Sequence, residues 1–103
     1  MEKWLFVVET NCANPAREKE FNEWYDKVHV PDVLEARGIV GARRFVIQEP
    51  AQGRGKFLAL YEVETDNIGK TMAALQEHMT KKREQGRHSD LVSVAFRGVY
   101  KQI

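Results

Sequence analysis

Hydrophobic and polar residues alternate along this chain with two different periods, and the changes of period divide the chain into elements. A period of two, which is typical of strands, occurs in four stretches: 3–9, 39–49, 56–64 and 91–101. A helical period occurs from Pro15 to about Val28, and again between Asp66 and Gly86. The pattern therefore predicts four strands and two long helices, with Asn14 and Asp66 as the residues that cap the helix N-termini.

The first helix carries an apolar stripe that ends in a histidine and a proline. The stripe is formed by four side chains at positions i, i+3, i+4 and i+7, namely Phe21, Trp24, Tyr25 and Val28. A residue that precedes proline disfavours the α conformation. We therefore expect this helix to end around His29 or Val30. Pro31 and Asp32 then suit the first turn of a second, short helix that extends through Ala36.

The order of the predicted elements is β-α-β-β-α-β. Two right-handed β-α-β units that share a hairpin form one four-stranded antiparallel sheet with both helices on one face. The chain is thus predicted to be an α+β protein with a ferredoxin-like fold. Its 103 residues suffice for one domain, residues 1–103, with one modest core.

The face of the sheet that the helices leave open is also predicted to be apolar. In the third strand, Leu58 and Leu60 alternate with aromatic and small apolar residues, and both faces are therefore apolar. In the fourth strand, simple alternation places a second apolar set on one face: Val92, Val94, Phe96 and Tyr100. An uncovered apolar face of this size is unusual for a monomer. We expect a second copy of the chain to cover it, in a two-fold homodimer that packs sheet against sheet.

Composition narrows the choice of partners. Sixteen basic and fifteen acidic residues give a net charge of +1, so neither a nucleic acid nor a membrane surface is an expected partner. The single cysteine, Cys12, excludes an internal disulfide, and three scattered histidines do not have the spacing of a metal site. We expect a cytoplasmic protein that needs no metal or other cofactor.

Residues 21–45 carry a resemblance to a known family. The first helix reads Phe-x-x-Trp-Tyr-x-x-x-His-x-Pro-Asp, and the strand that follows Gly38 contains Ala42-Arg43-Arg44-Phe45. This combination resembles the dimeric α+β barrel superfamily, and above all its EthD-like members. The resemblance implies a barrel built from two sheets, a pocket between sheet and helices in each subunit, and an active-site histidine placed like His29. The superfamily includes cofactor-free cyclases, dehydratases, decarboxylases and lactone isomerases, haem-degrading monooxygenases, and members without known activity.

The residues around His29 have the chemistry of a proton-transfer site. A histidine is the natural general acid or base near neutral pH. Tyr25, one helical turn earlier, could donate a hydrogen bond to a carbonyl or enolate oxygen. Asp26 and Asp32 each lie three residues from His29, and either could orient its imidazole. The predicted catalytic residues are His29, Tyr25 and Asp32.

A second set of residues is predicted to bind the substrate. The two strand arginines are candidates for a carboxylate, because an arginine that points inward needs an anionic partner. An amide on the first helix and two aromatic side chains could complete a largely hydrophobic pocket for a small ligand. The set consists of Asn22, Arg44, Arg97, Tyr61 and Trp4.

Simpler interpretations apply to several of these residues. The aromatic stripe is expected to be core whatever the function, and Asp32 could merely cap the short helix. His78 and His88 are expected at the solvated surface. Three functions remain open: a cofactor-free lyase or isomerase acting on an aromatic, polyketide or lactone substrate, a haem monooxygenase with His29 or His78 as iron ligand, and a dimer that binds ligands without catalysis.

Overall fold

The structure is a computed structural model that describes all residues, Met1–Ile103. Its strands are β1 (Glu2–Cys12), β2 (Ile39–Val46), β3 (Phe57–Thr65) and β4 (Val92–Lys101). Its helices are α1 (Glu18–Trp24), α2 (Val30–Leu34) and α3 (Ile68–Glu84). The strands pair antiparallel in the order β2-β3-β1-β4, so the predicted ferredoxin-like α+β fold is confirmed. No helix is both long enough and apolar enough to cross a membrane.

The first helical stretch does not end before Pro31, and that prediction was wrong. A 3-10 turn (Pro15–Arg17), α1, a π-helical segment (Tyr25–His29) and α2 follow one another without a break. The backbone N–H of Val30 donates to the carbonyl of Tyr25, five residues back. Proline lacks an N–H, and its ring crowds the carbonyl four residues earlier in a regular α-helix. The wider π turn directly before Pro31 is where such a helix accommodates the irregularity.

The second long helix matches its prediction except at the first residue. Its N-cap is Asn67 and not Asp66: the Asn67 side-chain oxygen accepts from the Lys70 N–H at 3.0 Å. The helix ends at Glu84, and Gly86, the residue expected to stop it, follows the C-cap Gln85 with a φ of 78° that favours glycine. Leu75 is the buried residue of its inner face.

A β-bulge in β4 changes which of its residues share a face. The pairing of β4 with β1 shifts between Glu9 and Thr10, so that Phe96 lies opposite Glu9 and Val94 opposite Thr10, with one extra residue between them. Residues paired across two strands share a face. Val94 and Arg97 therefore lie on the helix-covered face, whereas Phe96 lies on the open face. The alternation that placed Val94 and Phe96 together was wrong, because the bulge inverts it.

The core lies between the helices and the central strands. On β3 the residues of the helix-covered face are buried, with exposures of 1–7%: Phe57, Ala59, Tyr61 and Val63. Phe21 of α1 is fully buried against Phe57, with ring centroids 5.5 Å apart. On the opposite, open face, three large side chains remain 40–52% exposed: Phe45, Phe96 and Tyr100. The open face thus carries the expected apolar side chains, together with the ion pair of Arg43 and Glu62.

Candidate functional site

His29 lies at the end of the π-helical segment, packed between two aromatic rings. Its imidazole stacks on the indole of Trp24, with centroids 4.9 Å apart, and meets the edge of Tyr25 at 4.8 Å. In a π turn, residues five apart become neighbours, which brings Trp24 under His29. Nε2 of His78 lies 2.8 Å from the backbone oxygen of Asp32, whereas the His29 ring has no hydrogen-bond partner in the protein. His29 is therefore held by packing, with its nitrogens free for a ligand.

The surroundings of His29 keep its imidazole neutral. Burial lowers the pKa of His29 from 6.5 to about 4. The charge of Asp32 opposes this shift, while the nearby cationic groups Arg44 and Arg97 lower the pKa further. At neutral pH the imidazole is therefore uncharged and has a nitrogen that can accept a proton.

Two tyrosine hydroxyls meet beside His29. Tyr25 is 2% exposed and Tyr61, which reaches the same region from β3, is 1% exposed. The Tyr61 ring stacks on Phe6 at 5.8 Å, and its buried hydroxyl faces that of Tyr25 but has no hydrogen-bond partner. Burial raises the pKa of both phenols. Both hydroxyls therefore keep their protons and can act only as donors or neutral acceptors.

Arg44 lies above Tyr25 and already has partners. It pairs with Ala59, a buried residue of the helix-covered face, and its guanidinium lies 4.1 Å from the Tyr25 ring centroid. It donates to Oδ1 of Asp26 at 2.8 Å and to Oδ1 of Asn22 at 2.9 Å. Arg44 and Asn22 thus hold each other on one side of the site, and Asp26 neutralises Arg44 and does not orient His29.

Asp32 is buried behind the site and does not cap a helix, so that interpretation was wrong. Its carboxylate is 1% exposed and accepts two hydrogen bonds from the guanidinium of Arg87, at 2.7 and 2.9 Å. Lys82 lies 3.9 Å away. The hydrogen bond from Arg87, more than any other contact, lowers the pKa of Asp32. The backbone oxygen of Arg87 in turn accepts from the indole N–H of Trp24 at 2.9 Å, so this ion pair fixes the ring that supports His29.

The other two residues predicted to bind substrate lie in different places. Trp4 lines a shallow depression of about 420 Å³ at the end of the sheet, where Lys101 lies 5.8 Å from its ring centroid. Arg97 faces the helices from β4, and its charge acts on both His29 and Tyr25. The structure therefore brings Tyr25 and His29 into contact, places Arg97 where its charge affects both, and places Trp4 at another edge.

Sequence reasoning did not identify two residues that contact Asp32. Arg87 follows α3 in a loop, and His78 was expected at the solvated surface, yet both bind Asp32. The available signal was Asp32 itself, which continues the apolar stripe one turn after Val28. A carboxylate on a buried helix face requires a cation, although the sequence does not indicate which one.

The comparisons with known proteins concern the fold. No family model and no curated protein matches this sequence. Among similar solved structures, a dimeric ferredoxin-like protein from an uncultured marine organism has a TM-score of 0.68 at 12% identity, over 100% of this chain and 97% of that one. A proposed antibiotic biosynthesis monooxygenase from Bordetella bronchiseptica has a TM-score of 0.68 at 16% identity, over 100% of this chain and 97% of that one. An EthD family protein from Bacillus halodurans has a TM-score of 0.58 at 14% identity, over 100% of both chains. The resemblance to EthD-like α+β barrel proteins is confirmed at the level of the fold.

Removal of the Arg87 side chain tests the ion pair behind the site. Arg87→Ala leaves the Asp32 carboxylate buried with only Lys82 nearby. Removing one partner of a buried ion pair is costly, because the remaining charge is left buried without compensation. We expect the free energy of unfolding, measured in denaturant titrations, to fall clearly below that of the control variant. The control is Arg37→Ala, at an exposed arginine without an ion pair. Equal stability of the two variants would mean that the pair contributes nothing.

The neutral state of His29 makes stability depend on pH. The folded-state pKa of His29, about 4, lies below the ordinary 6.5 of the unfolded chain. As the pH falls from 6.5 toward 4, the unfolded chain binds a proton at His29 that the folded protein does not bind, so the free energy of unfolding decreases. Between neutral pH and pH ~4.5 the wild type should lose about 2.5 kcal/mol more than His29→Gln, measured by urea unfolding. Parallel losses in the two proteins would contradict a depressed pKa.

Proposed function

We propose that this protein is a cofactor-independent lyase or isomerase that moves a proton on a hydrophobic carbonyl compound. The substrate is an aromatic, polyketide or lactone compound whose carbon acid is deprotonated by His29. The same imidazole then returns the proton at another carbon or to a leaving group. The observation that carries the proposal is a neutral imidazole without a hydrogen-bond partner, held between two aromatic rings.

The tyrosine pair supplies the second requirement of such chemistry. Deprotonation next to a carbonyl places negative charge on the oxygen, and a donor aimed at that oxygen stabilises the transition state. The hydroxyl of Tyr61 is buried and unpartnered, and that of Tyr25 faces it. Because both phenols stay protonated, Tyr25 is the proposed donor and Tyr61 supports it. Asp32 contributes through its charge and through the Arg87–Trp24 contact.

A monooxygenase is the second candidate, and the similarity to the Bordetella protein favours it. The first step would be the same deprotonation of a CH2 group by His29. The carbanion would then form a C–O bond with dioxygen and take up a proton to give a hydroperoxide, which loses water and leaves one oxygen atom on the substrate as a carbonyl. An oxygen electrode distinguishes the two. Oxygen uptake in step with substrate loss would favour the monooxygenase, and substrate loss without uptake would favour the lyase or isomerase.

Two further alternatives are a haem monooxygenase and a dimer that binds ligands without catalysis. Of the two histidines considered as haem ligands, His78 has its Nε2 bound to the Asp32 carbonyl, which leaves His29. A haem titration that produced a Soret band would support the haem alternative. A dimer that binds ligands without catalysis would also give the buried Tyr61 hydroxyl a partner when the ligand is bound, and absence of proton exchange in the wild type would favour it.

The proposed role of His29 can be tested by proton exchange before the substrate is known. In D2O, α-tetralone and a β,γ-unsaturated γ-lactone serve as carbon acids whose exchange is followed by proton NMR. We expect the wild type to accelerate exchange of one of them, and His29→Gln to lower that rate by roughly 10²- to 10⁴-fold, because general base catalysis contributes about that much.

The matched control is His88→Gln, which removes an exposed imidazole near the same indole. It should retain most of the wild-type exchange rate. Full activity in His29→Gln would remove His29 from the mechanism.

The open sheet face supports the further proposal that the chain forms a homodimer. The face combines exposed aromatic residues at its edges with aliphatic side chains at its centre: Leu5, Val7, Leu58 and Leu60. The side chains of Phe96 and Tyr100 close over Gly98, where an added Cβ would lie 2.9 Å from the Phe96 ring. A second copy of the same sheet would cover this surface. The similar marine protein is described as dimeric.

A substitution that introduces a charge at the centre of the open face tests whether the chain forms this dimer. Wild-type protein at micromolar concentration should sediment as a dimer, and Leu60→Lys should sediment as a folded monomer, because a buried unpaired ammonium is costly. Leu34→Lys is the control: this leucine is also partly exposed, at 39%, but lies on α2. The dimer proposal fails if the wild type is a monomer or if Leu60→Lys remains a dimer.

A further inference from the structure

Arg97 lies on a part of the helix-covered face that the helices leave open. It pairs with Val8, a core residue that is 7% exposed, yet its strand is at the edge of the sheet. Val94 and Val99 share its face and remain 41% and 39% exposed, whereas the corresponding residues of β3 are buried. This open strip of β4 lies on the same side of the sheet as the helices that carry His29, and the charge of Arg97 lowers the pKa of both His29 and Tyr25.

Arg97 is also the arginine of the site without a negative partner. Arg44 pairs with Asp26 at 2.8 Å, and Arg87 pairs with Asp32 at 2.7 Å. Arg97 has no ion pair in the structure, and His29 is neutral at physiological pH. The site therefore presents one uncompensated positive charge, which matches a ligand with a single negative charge.

The chemistry of this strip indicates the ligand class. A free guanidinium presents a planar pair of donors that matches a carboxylate. The exposed valines beside it suit a hydrocarbon or aromatic body. One positive charge balances a carboxylate more fully than it balances a phosphate dianion.

We propose that the site takes hydrophobic carboxylic acids and that Arg97 binds their carboxylate, which makes it a specificity-determining residue. The proposal rests on the proposed function for the location of the site at His29, and it names the substrate class. From sequence, Arg44 and Arg97 are both candidates for binding a carboxylate. The structure distinguishes them: Nη1 and Nη2 of Arg44 already donate to Asp26 and Asn22, and only its buried Nε has no partner, whereas Arg97 has no ion pair at all.

A matched pair of probes tests this assignment: 2-naphthoate and its neutral analogue 2-naphthamide. Binding is measured by NMR from the shifts of the His29 ring signals, so no turnover is required. Wild type should bind the acid about 10- to 100-fold more tightly than the amide, as expected for a hydrogen bond to a charged group. Arg97→Gln should lose this preference and leave the affinity for the amide unchanged. Arg37→Gln, at an exposed arginine outside the site, should retain the preference.

Three results would overturn the proposal: equal affinity of the wild type for acid and amide, a preference that survives in Arg97→Gln, or no binding of 2-naphthoate at millimolar concentrations. These failures are separable from failure of the proposed function. If the preference for the acid is lost in Arg97→Gln while His29→Gln retains proton exchange, the anion site is supported and the proposed role of His29 is contradicted. If proton exchange depends on His29 but the wild type binds the acid and the amide equally well, the proposed role of His29 is supported and the acid specificity is contradicted.

Discussion

The ion pair between the buried carboxylate of Asp32 and the guanidinium of Arg87 is the contact on which the site depends. It joins the helix that carries the site to the loop after α3, and the same loop accepts the indole N–H of Trp24. His29 stacks on that indole. One ion pair thus fixes the position of a histidine that has no hydrogen bond of its own. A buried pair of this kind adds little net stability, but loss of one partner is costly.

The second constraint is electrostatic. The environment of His29 depresses its pKa by burial and by neighbouring positive charge, and this leaves a weak base in the free protein. General base catalysis is most effective when the pKa lies near the working pH. An anion bound at Arg97 would offset the positive charge that opposes protonation of His29 and raise its basicity. The positive charge of Arg97 would therefore set both the proposed preference for acids and, once an acid is bound, the basicity of His29.

Much of the fold could be predicted from sequence, because half-buried strands and amphipathic helices leave clear periods. The helix through Pro31 could not, since the local rule for residues before proline was overridden by tertiary contacts of the next residue, Asp32. The bulge in β4 was also hidden, because one extra residue inverts the alternation without changing composition. Tyr25 and His29 were predicted as neighbours from a local motif, and their rings are in contact. Arg87 was not, because 55 residues separate it from Asp32.

The central claim is that His29 is a neutral base in an anion-binding site, and an NMR pH titration of its ring tests this most directly. With and without 2-naphthoate, the titration follows one residue in the intact protein. The expected midpoint lies near pH 4 in the free protein and rises when the acid is bound. A midpoint near the ordinary 6.5 that does not respond to the acid would contradict it.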